Sequence, residues 1–478
     1  MLHIPLLRGG KPYRSMNVAT LNHVRTGEPV AEVSLANSGL ISRDLRNVKQ
    51  HQQRLQEIPV REILEICRKA ATLFGEADLP IDPVAGTTQS YDDYLKQLSS
   101  TTGMPLALCR INAEKIRFVM QNMERVLGGL TRGVDVEVLD RGFVDQDDRL
   151  LSYIREADSL GAVLPSNSPG VHSLWIPALA MKVPLVIKPG GLEPWSPFRI
   201  GQALVAAGLP AEAFGFYPTD HNGASQILLS TDRSMIFGDK GTVASWVDDP
   251  RVQIHGPGWS KVVFGADRAP HWREHLDLVS ISVAENGGRA CLNSSGIWMP
   301  SHGRELAEAL AERLAAIPAR DLDDPEARLA AFPVPEVARR ISEYVDTQLQ
   351  IPGAVDLTAK LRPEGRVAEV GGCTFLLPTV IWLDDPTHPL AETELLFPFA
   401  TVAEVPQDEL IEGIKETLVV TALTGDRAFQ QELMQARNID RLNLAEVPTS
   451  RISWDQPHEG NLFEHLYRQR AFQNAVPA

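Results

Sequence analysis

Short apolar runs separated by amphipathic stretches dominate the middle of the chain. Runs at 161–164, 183–188, 214–217, 234–237, 252–255 and 261–264 are short enough to be buried strands. Helical patterns at 171–182 and 196–207 fall between them, the second closed by Gly208-Leu-Pro210. This βαβα rhythm predicts a largely parallel sheet covered on both faces. Upstream, Val30-Ala-Glu-Val33 reads as an edge strand after the turn at Thr26-Gly27-Glu28-Pro29. Residues 41–75 read as helical, because Ile58, Ile63, Cys67, Ala70 and Phe74 recur on one face until Gly75. A further helix is predicted near 112–127. Val134-Asp-Val-Glu-Val-Leu139 alternates as a half-exposed strand does, and a helix over 147–160 is predicted after it. A second unit starts near 258. Its helix at 303–317 places Leu306, Leu310, Leu314 and Ile317 on one face. A proline-punctuated polar connection (318–336), strands at 374–383 and 399–404, and a helix at 407–417 continue it.

The length, 478 residues, exceeds one core, so two domains with a small extra element are expected. The net charge of −15 argues against a general nucleic-acid or anionic-membrane partner. No apolar segment approaches a membrane span. Cys67, Cys109, Cys291 and Cys373 show no CxxC or Cys/His spacing, and the twelve histidines show no ligand pattern. A reduced, cytoplasmic chain without a metal is the expectation.

Candidate chemistry centres on Glu285-Asn-Gly-Gly-Arg-Ala-Cys291. A thiol three residues after a Gly-Gly turn, in Gly-Gly-x-x-Cys, can be presented among backbone N–H groups. Cys67 reads as core; Cys109 and Cys373 read as structural. Asn167, in Pro165-Ser-Asn167-Ser-Pro169, follows a strand's carboxyl end, where open parallel sheets bind ligands. Its amide would donate to an oxyanion, or it merely satisfies turn backbone. Lys188 ends a strand before Pro-Gly-Gly191 and can reach ribose hydroxyls or phosphate, unless it is only a solvated strand end. Gly238 and Gly241 lie in a strand-to-loop segment that could cradle phosphate. His255-Gly-Pro-Gly258 is a glycine-rich turn between strands. Glu394-Leu-Leu-Phe-Pro398 sets a carboxylate before an apolar run.

Taken in order, these pieces resemble the aldehyde dehydrogenase superfamily over nearly the whole chain. Leu185-Val-Ile-Lys188-Pro with Ala207-Gly-Leu-Pro210, Phe375-Leu-Leu-Pro-Thr-Val380 and Glu394-Leu-Leu-Phe-Pro398 are similar to its adenosine-binding and nicotinamide-ribose segments. The resemblance implies an α/β fold: a Rossmann-type NAD(P)-binding domain (1–133 and 147–257), an α/β catalytic domain (258–440), and an oligomerisation hairpin and tail (134–146 and 441–478). It implies Cys291 as nucleophile, Asn167 as oxyanion donor, Lys188 on the adenosine ribose and Glu394 on the nicotinamide ribose. A homodimer or homotetramer is implied as well.

Two departures refine the expectation. His255 stands about where the family's water-activating Glu would be, and Gly256-Pro-Gly258 is similar to the CoA-acylating aldehyde dehydrogenases and acyl-CoA reductases. That makes coenzyme A a co-substrate, with an aldehyde and an acyl-CoA as the interconverted partners; His255 or Glu285 could still serve as a base. Second, Gly191 stands where the family often has a ribose-binding Glu, so NADP is as acceptable as NAD, although Glu193 is near. A hydrolytic aldehyde dehydrogenase and a non-catalytic family member are the competing readings. In the tail, His458 and Glu459 either line the site or belong to a structural segment.

Overall fold

A computed structural model describes residues 1–473. Two seven-stranded sheets form its frame. The first contains β1 (Leu6–Arg8), β2 (Lys11–Tyr13), β3 (Leu160–Val163), β4 (Leu185–Lys188), β5 (Phe214–Phe216), β6 (Arg233–Phe237) and β7 (Val252–His255), in the order β7-β6-β3-β4-β5-β1-β2. Its five later strands run parallel, and β1 and β2 add an antiparallel edge. β3 and β4 are short and almost wholly buried, as strands covered on both faces must be. From β3 the chain winds one way to β4 and β5, then returns to the other side of β3 for β6 and β7. The order therefore reverses between β3 and β6, and a crevice opens at their carboxyl ends.

The second sheet contains β8 (Lys261–Phe264), β9 (Gly296–Met299), β10 (Ala354–Asp356), β11 (Thr379–Leu383), β12 (Phe399–Glu404), β13 (Thr417–Leu423) and β14 (Ile439–Asn443). The order is β10-β11-β12-β9-β8-β13-β14, parallel except for β10. The helix Gly303–Ala315 lays Leu306, Leu310 and Leu314 into the apolar core on this sheet. No described helix is long and apolar enough to cross a membrane.

Several sequence expectations are corrected. The strand expected at 134–139 is absent: Val134, Val136 and Val138 are buried through successive turns that end in a helical turn, Val138–Arg141. The helix expected at 147–160 is instead the strand Arg149–Arg155. Asp147 and Asp148 both take left-handed backbone, which closes a tight hairpin onto Phe143–Gln146. The hairpin thus spans Phe143–Arg155, not 134–146, and Tyr467–Arg470 of the tail adds a third strand to it. Of the tail expected over 441–478, residues 474–478 lie outside the described residues.

The strand Pro29–Ser34 is not an edge but lies between Leu2–Ile4 and Val18–Asn22. The run at 41–75 splits into Ser38–Leu45, Val48–Gln56 and Val60–Glu76, the last entered through Pro59. The 112–127 helix is two, Leu106–Gln121 and Met123–Leu130. Pro177 divides the 171–182 region into a 3-10 segment and one helical turn. Pro378 separates Cys373–Leu376 from β11. The helix expected at 407–417 shrinks to short turns, because Thr417–Leu423 is a fully buried strand. The helix Pro335–Gln348 lies in part within the expected polar connection.

Candidate active site

Cys291 sits on a loop that local chemistry holds rigid. The helix Leu276–Ala284 ends and three consecutive residues, Asn286, Gly287 and Gly288, take left-handed backbone. A Cβ at Gly288 would lie 2.3 Å from the Phe397 carbonyl carbon and the Pro398 nitrogen, so no other residue fits there. Asn286 tolerates its conformation because its amide is engaged on both sides, accepting from Asn112 Nδ2 at 2.7 Å and donating to Ser168 Oγ at 3.1 Å. Asn293 fastens the other flank: its Oδ1 accepts from Ala290 N at 2.9 Å, and its Nδ2 donates to the Glu285 carbonyl at 3.0 Å. The Cys291 carbonyl accepts from Ser260 Oγ at 2.8 Å.

A cavity of about 470 Å³ opens over this loop, at the carboxyl ends of β3, β6 and β7. Cys291, Asn167, Gly238, His255 and Glu394 line it together; Lys188, Gly191 and Gly241 do not. Asn167 follows β3 and Gly238 follows β6, so both flank the point where strand order reverses. Asn167 Nδ2 donates to the Arg289 carbonyl at 2.8 Å, and its Oδ1 is buried without a partner among the described residues. Enclosure pushes the Cys291 thiol well above its usual range, and Glu459 and Glu394 add to the shift against Arg441. The resting thiol is therefore protonated, and its attack on a carbonyl needs a proton acceptor. Burial also raises the other three thiols, Cys67 to about 12.

Glu394 is built into the backbone under the thiol. Its Oε2 accepts from Gly258 N at 2.9 Å and Trp259 N at 2.7 Å, which leaves Oε1 outside both bonds. Burial pushes this carboxyl up to about 7, against the pull of those two N–H groups and of Lys261. Lys261 was not singled out from sequence. It is buried beneath the site, donates to the Trp259 carbonyl at 2.6 Å, and is pushed down to about 8 by burial. Gly258 touches the Cys291 loop: a Cβ there would stand 2.1 Å from the Cys291 carbonyl oxygen.

His255 ends β7 with its ring stacked on Phe237, centroids 4.2 Å apart and planes within 14°. Its Nδ1 is hydrogen-bonded to Glu459 Oε2, and its Nε2 is buried with no partner among the described residues. Gln253 Nε2 donates to the Glu459 carbonyl at 2.7 Å, and Glu459 itself has φ of 48°. His458 lines the same cavity, and burial pushes its imidazole down to about 4. His255, His458 and Glu459 bring three nitrogen and oxygen atoms within 4.8 Å of one another. Glu459 Oε2 is hydrogen-bonded to His255 Nδ1 and stands 3.6 Å from His458 Nε2, so this oxygen is already committed to the His255 ring.

The cofactor-side residues lie along the first sheet. Lys188 ends β4; burial lowers its amine, and it makes no ion pair among the described residues. A Cβ at Gly191 would meet nothing within 4 Å. Glu193 is turned inward: its Oε2 bonds His172 Nε2 at 2.6 Å and its Oε1 accepts from Ser196 N at 2.8 Å. After β6, Asp239 Oδ1 accepts from Thr242 N at 2.8 Å, so a carboxylate takes the donor that the Gly238–Gly241 loop could offer a phosphate. A Cβ at Gly238 would collide with the Thr242 side chain. The free amine of Lys188, the open ground at Gly191 and the unused oxygen of Glu394 fit a dinucleotide laid across the carboxyl ends.

The model of the aldehyde dehydrogenase family matches residues 12–417. A curated relative, 5-carboxymethyl-2-hydroxymuconate semialdehyde dehydrogenase of Escherichia coli, is 22% identical over 385 residues, covering 78% of this chain and 77% of that protein. Among solved structures, a putative aldehyde dehydrogenase from Burkholderia cenocepacia superposes with a TM-score of 0.78 at 15% identity, over 98% of this chain and 97% of that one. PnpE in complex with nicotinamide adenine dinucleotide superposes at 0.74 and 17% identity, over 99% and 98% of the two chains.

Proposed function

This chain belongs to the aldehyde dehydrogenase family, and from that premise we propose that it oxidises an aldehyde with NAD or NADP through a covalent adduct on Cys291. One observation carries the reading: a single cavity gathers the Cys291 thiol, the Asn167 amide and the Glu394 carboxylate from three distant parts of the chain. The thiolate attacks the aldehyde carbon, and Asn167 Nδ2 stabilises the oxyanion that forms. Such a donor is worth about 3–4 kcal/mol in the transition state. The dinucleotide supplies the hydride acceptor. Lys188 would hold its adenosine ribose and Glu394 its nicotinamide ribose. The inward turn of Glu193 and the open space at Gly191 leave room for a 2′-phosphate, which supports acceptance of NADP.

The substrate we favour carries a carboxylate besides its aldehyde. Lys115 reaches the cavity and makes no ion pair among the described residues, while nearby Glu285 is held by Ser450 Oγ. The semialdehyde named for the curated relative is consistent with this. Coenzyme A as acyl acceptor is the second reading. It is supported by Gly256-Pro-Gly258, a turn that supplies no carboxylate of its own beside the thiol. We also propose that the chain forms a symmetric oligomer through the Phe143–Arg155 hairpin.

The test is a panel of neutral and carboxylate-bearing aldehydes with NAD and NADP, with and without coenzyme A. NAD(P)H is followed by absorbance and the acyl product by mass. Turnover that persists in Cys291→Ser would sink the reading.

A further inference from the structure

We infer that His255, held by Glu459, takes the proton from the water that releases the acyl group from Cys291. This rests on the function proposed above and adds the group that completes its cycle.

His255 sits at the carboxyl end of β7 and lines the cavity that contains Cys291. Buried nitrogens are nearly always hydrogen-bonded, so Nε2, with no partner among the described residues, calls for one from outside them. Nδ1 is committed to the Glu459 carboxylate. That bond places the ring proton on Nδ1 and leaves the Nε2 lone pair as the acceptor. The ring cannot swing freely, because one face is stacked on Phe237.

Glu459 is itself fixed in place. Its backbone is left-handed, a conformation that side chains other than glycine rarely adopt. Gln253, two residues before His255, grips its carbonyl, and Arg441 Nη1 holds the Pro457 carbonyl at 2.9 Å. These contacts hold the Glu459 carboxylate against the His255 imidazole.

The step balances as follows. Water's oxygen bonds to the thioester carbon while its proton passes to Nε2, and the carbonyl electron pair moves onto oxygen, facing Asn167. The pair returns, the C–S bond breaks and the sulfur recovers the proton from Nε2. The products are a carboxylic acid and the free thiol. His255 is the catalytic residue in this step, and Glu459 is a positioning residue.

The experiment uses the full chain with an accepted aldehyde and cofactor, comparing His255→Ala, His255→Gln and Glu459→Gln by stopped flow. The expected result is one NAD(P)H per Cys291 in the first turnover, followed by a steady state slowed at least about 100-fold for the His255 variants. A smaller loss is expected for Glu459→Gln, partly restored in Glu459→Asp. Hydroxylamine, which needs no base, should restore turnover in the His255 variants and yield the hydroxamate. A merely structural role would depress the first turnover as well, and hydroxylamine would not help. Steady-state rates unchanged in the His255 variants overturn the inference. So does a wild type that forms acyl-CoA faster than acid with no dependence on His255. A wild type that forms no NAD(P)H at all overturns the function reading instead, so the two failures are distinct.

Discussion

The Asn167 amide donates to the carbonyl of Arg289, two residues before Cys291. The turn after β3 is thereby tied to the Cys291 loop across the boundary between the two sheets. One amide hydrogen makes the tie, and the other is the one that the proposed mechanism uses on the oxyanion.

Replacing Asn167 by Ala should lower kcat by about 10²–10³-fold while cofactor binding stays near normal. Asn167→Asp keeps the shape but offers only acceptors, and a carboxylate there repels the oxyanion, so it should be the worse of the two. Steady-state kinetics with cofactor titration by fluorescence would separate these effects. A loss confined to cofactor affinity would count against the assignment.

Native-state alkylation should mark one cysteine of four. Cys67, Cys109 and Cys373 are each 2% exposed or less, whereas Cys291 opens to the cavity. Because the Cys291 thiol is raised, less thiolate is present at neutral pH than for a free cysteine. Labelling by iodoacetamide should therefore be slow at pH 7 and keep rising above pH 9. Peptide mass mapping identifies the site, and several modified cysteines would contradict the structure.

Gly258→Ala should damage the site without touching a reactive group. The added methyl would press on the Cys291 carbonyl backbone, which cannot rotate away. Overpacking of this kind costs about 1–3 kcal/mol, and a displaced nucleophile can cost about 100-fold in rate. Thermal melts and kcat measured together would test this; full activity in the variant would refute it.

Glu394 gives a pH signature. Its carboxyl is raised from 4.5 to about 7 on folding. Between those values the folded chain keeps a proton that the unfolded chain has released. The folded state then binds more protons, so this residue's contribution to stability falls as pH rises through the window. Glu394→Gln should lack the effect. Urea midpoints at pH 4.5 and pH 8 should show the wild type losing ground to the variant at the higher pH, and an equal difference at both would rule the prediction out.

Much of the frame was legible from sequence, because β3 to β8 are short apolar runs bounded by turn residues, and their length and those turns identify them. The errors arose where two signals compete. Val134, Val136 and Val138 alternate like a strand, yet bury the same side chains through turns. Leu418–Leu423 is apolar enough for either element, and only its place inside the second sheet decides. Cys291, Asn167 and Glu394 could be singled out because each sits at a Gly- or Pro-marked turn. Lys261 carried no such mark: inside a strand pattern it reads as an ordinary charge, and only burial reveals it. Glu459 lay far along the chain in a polar tail, and nothing in local sequence ties it to β7.

That tail also has a bearing on synthesis. The chain is made from its amino end, so Cys291 leaves the ribosome well before the segment that contains His458, Glu459 and the Tyr467–Arg470 strand. Until that segment arrives, His255 has no carboxylate behind it and the cavity lacks one wall. On the proposed mechanism, a chain that met an aldehyde before that segment folded would hold it as an adduct it could not discharge, so competence follows the docking of residues 450–470 rather than the folding of the two sheets.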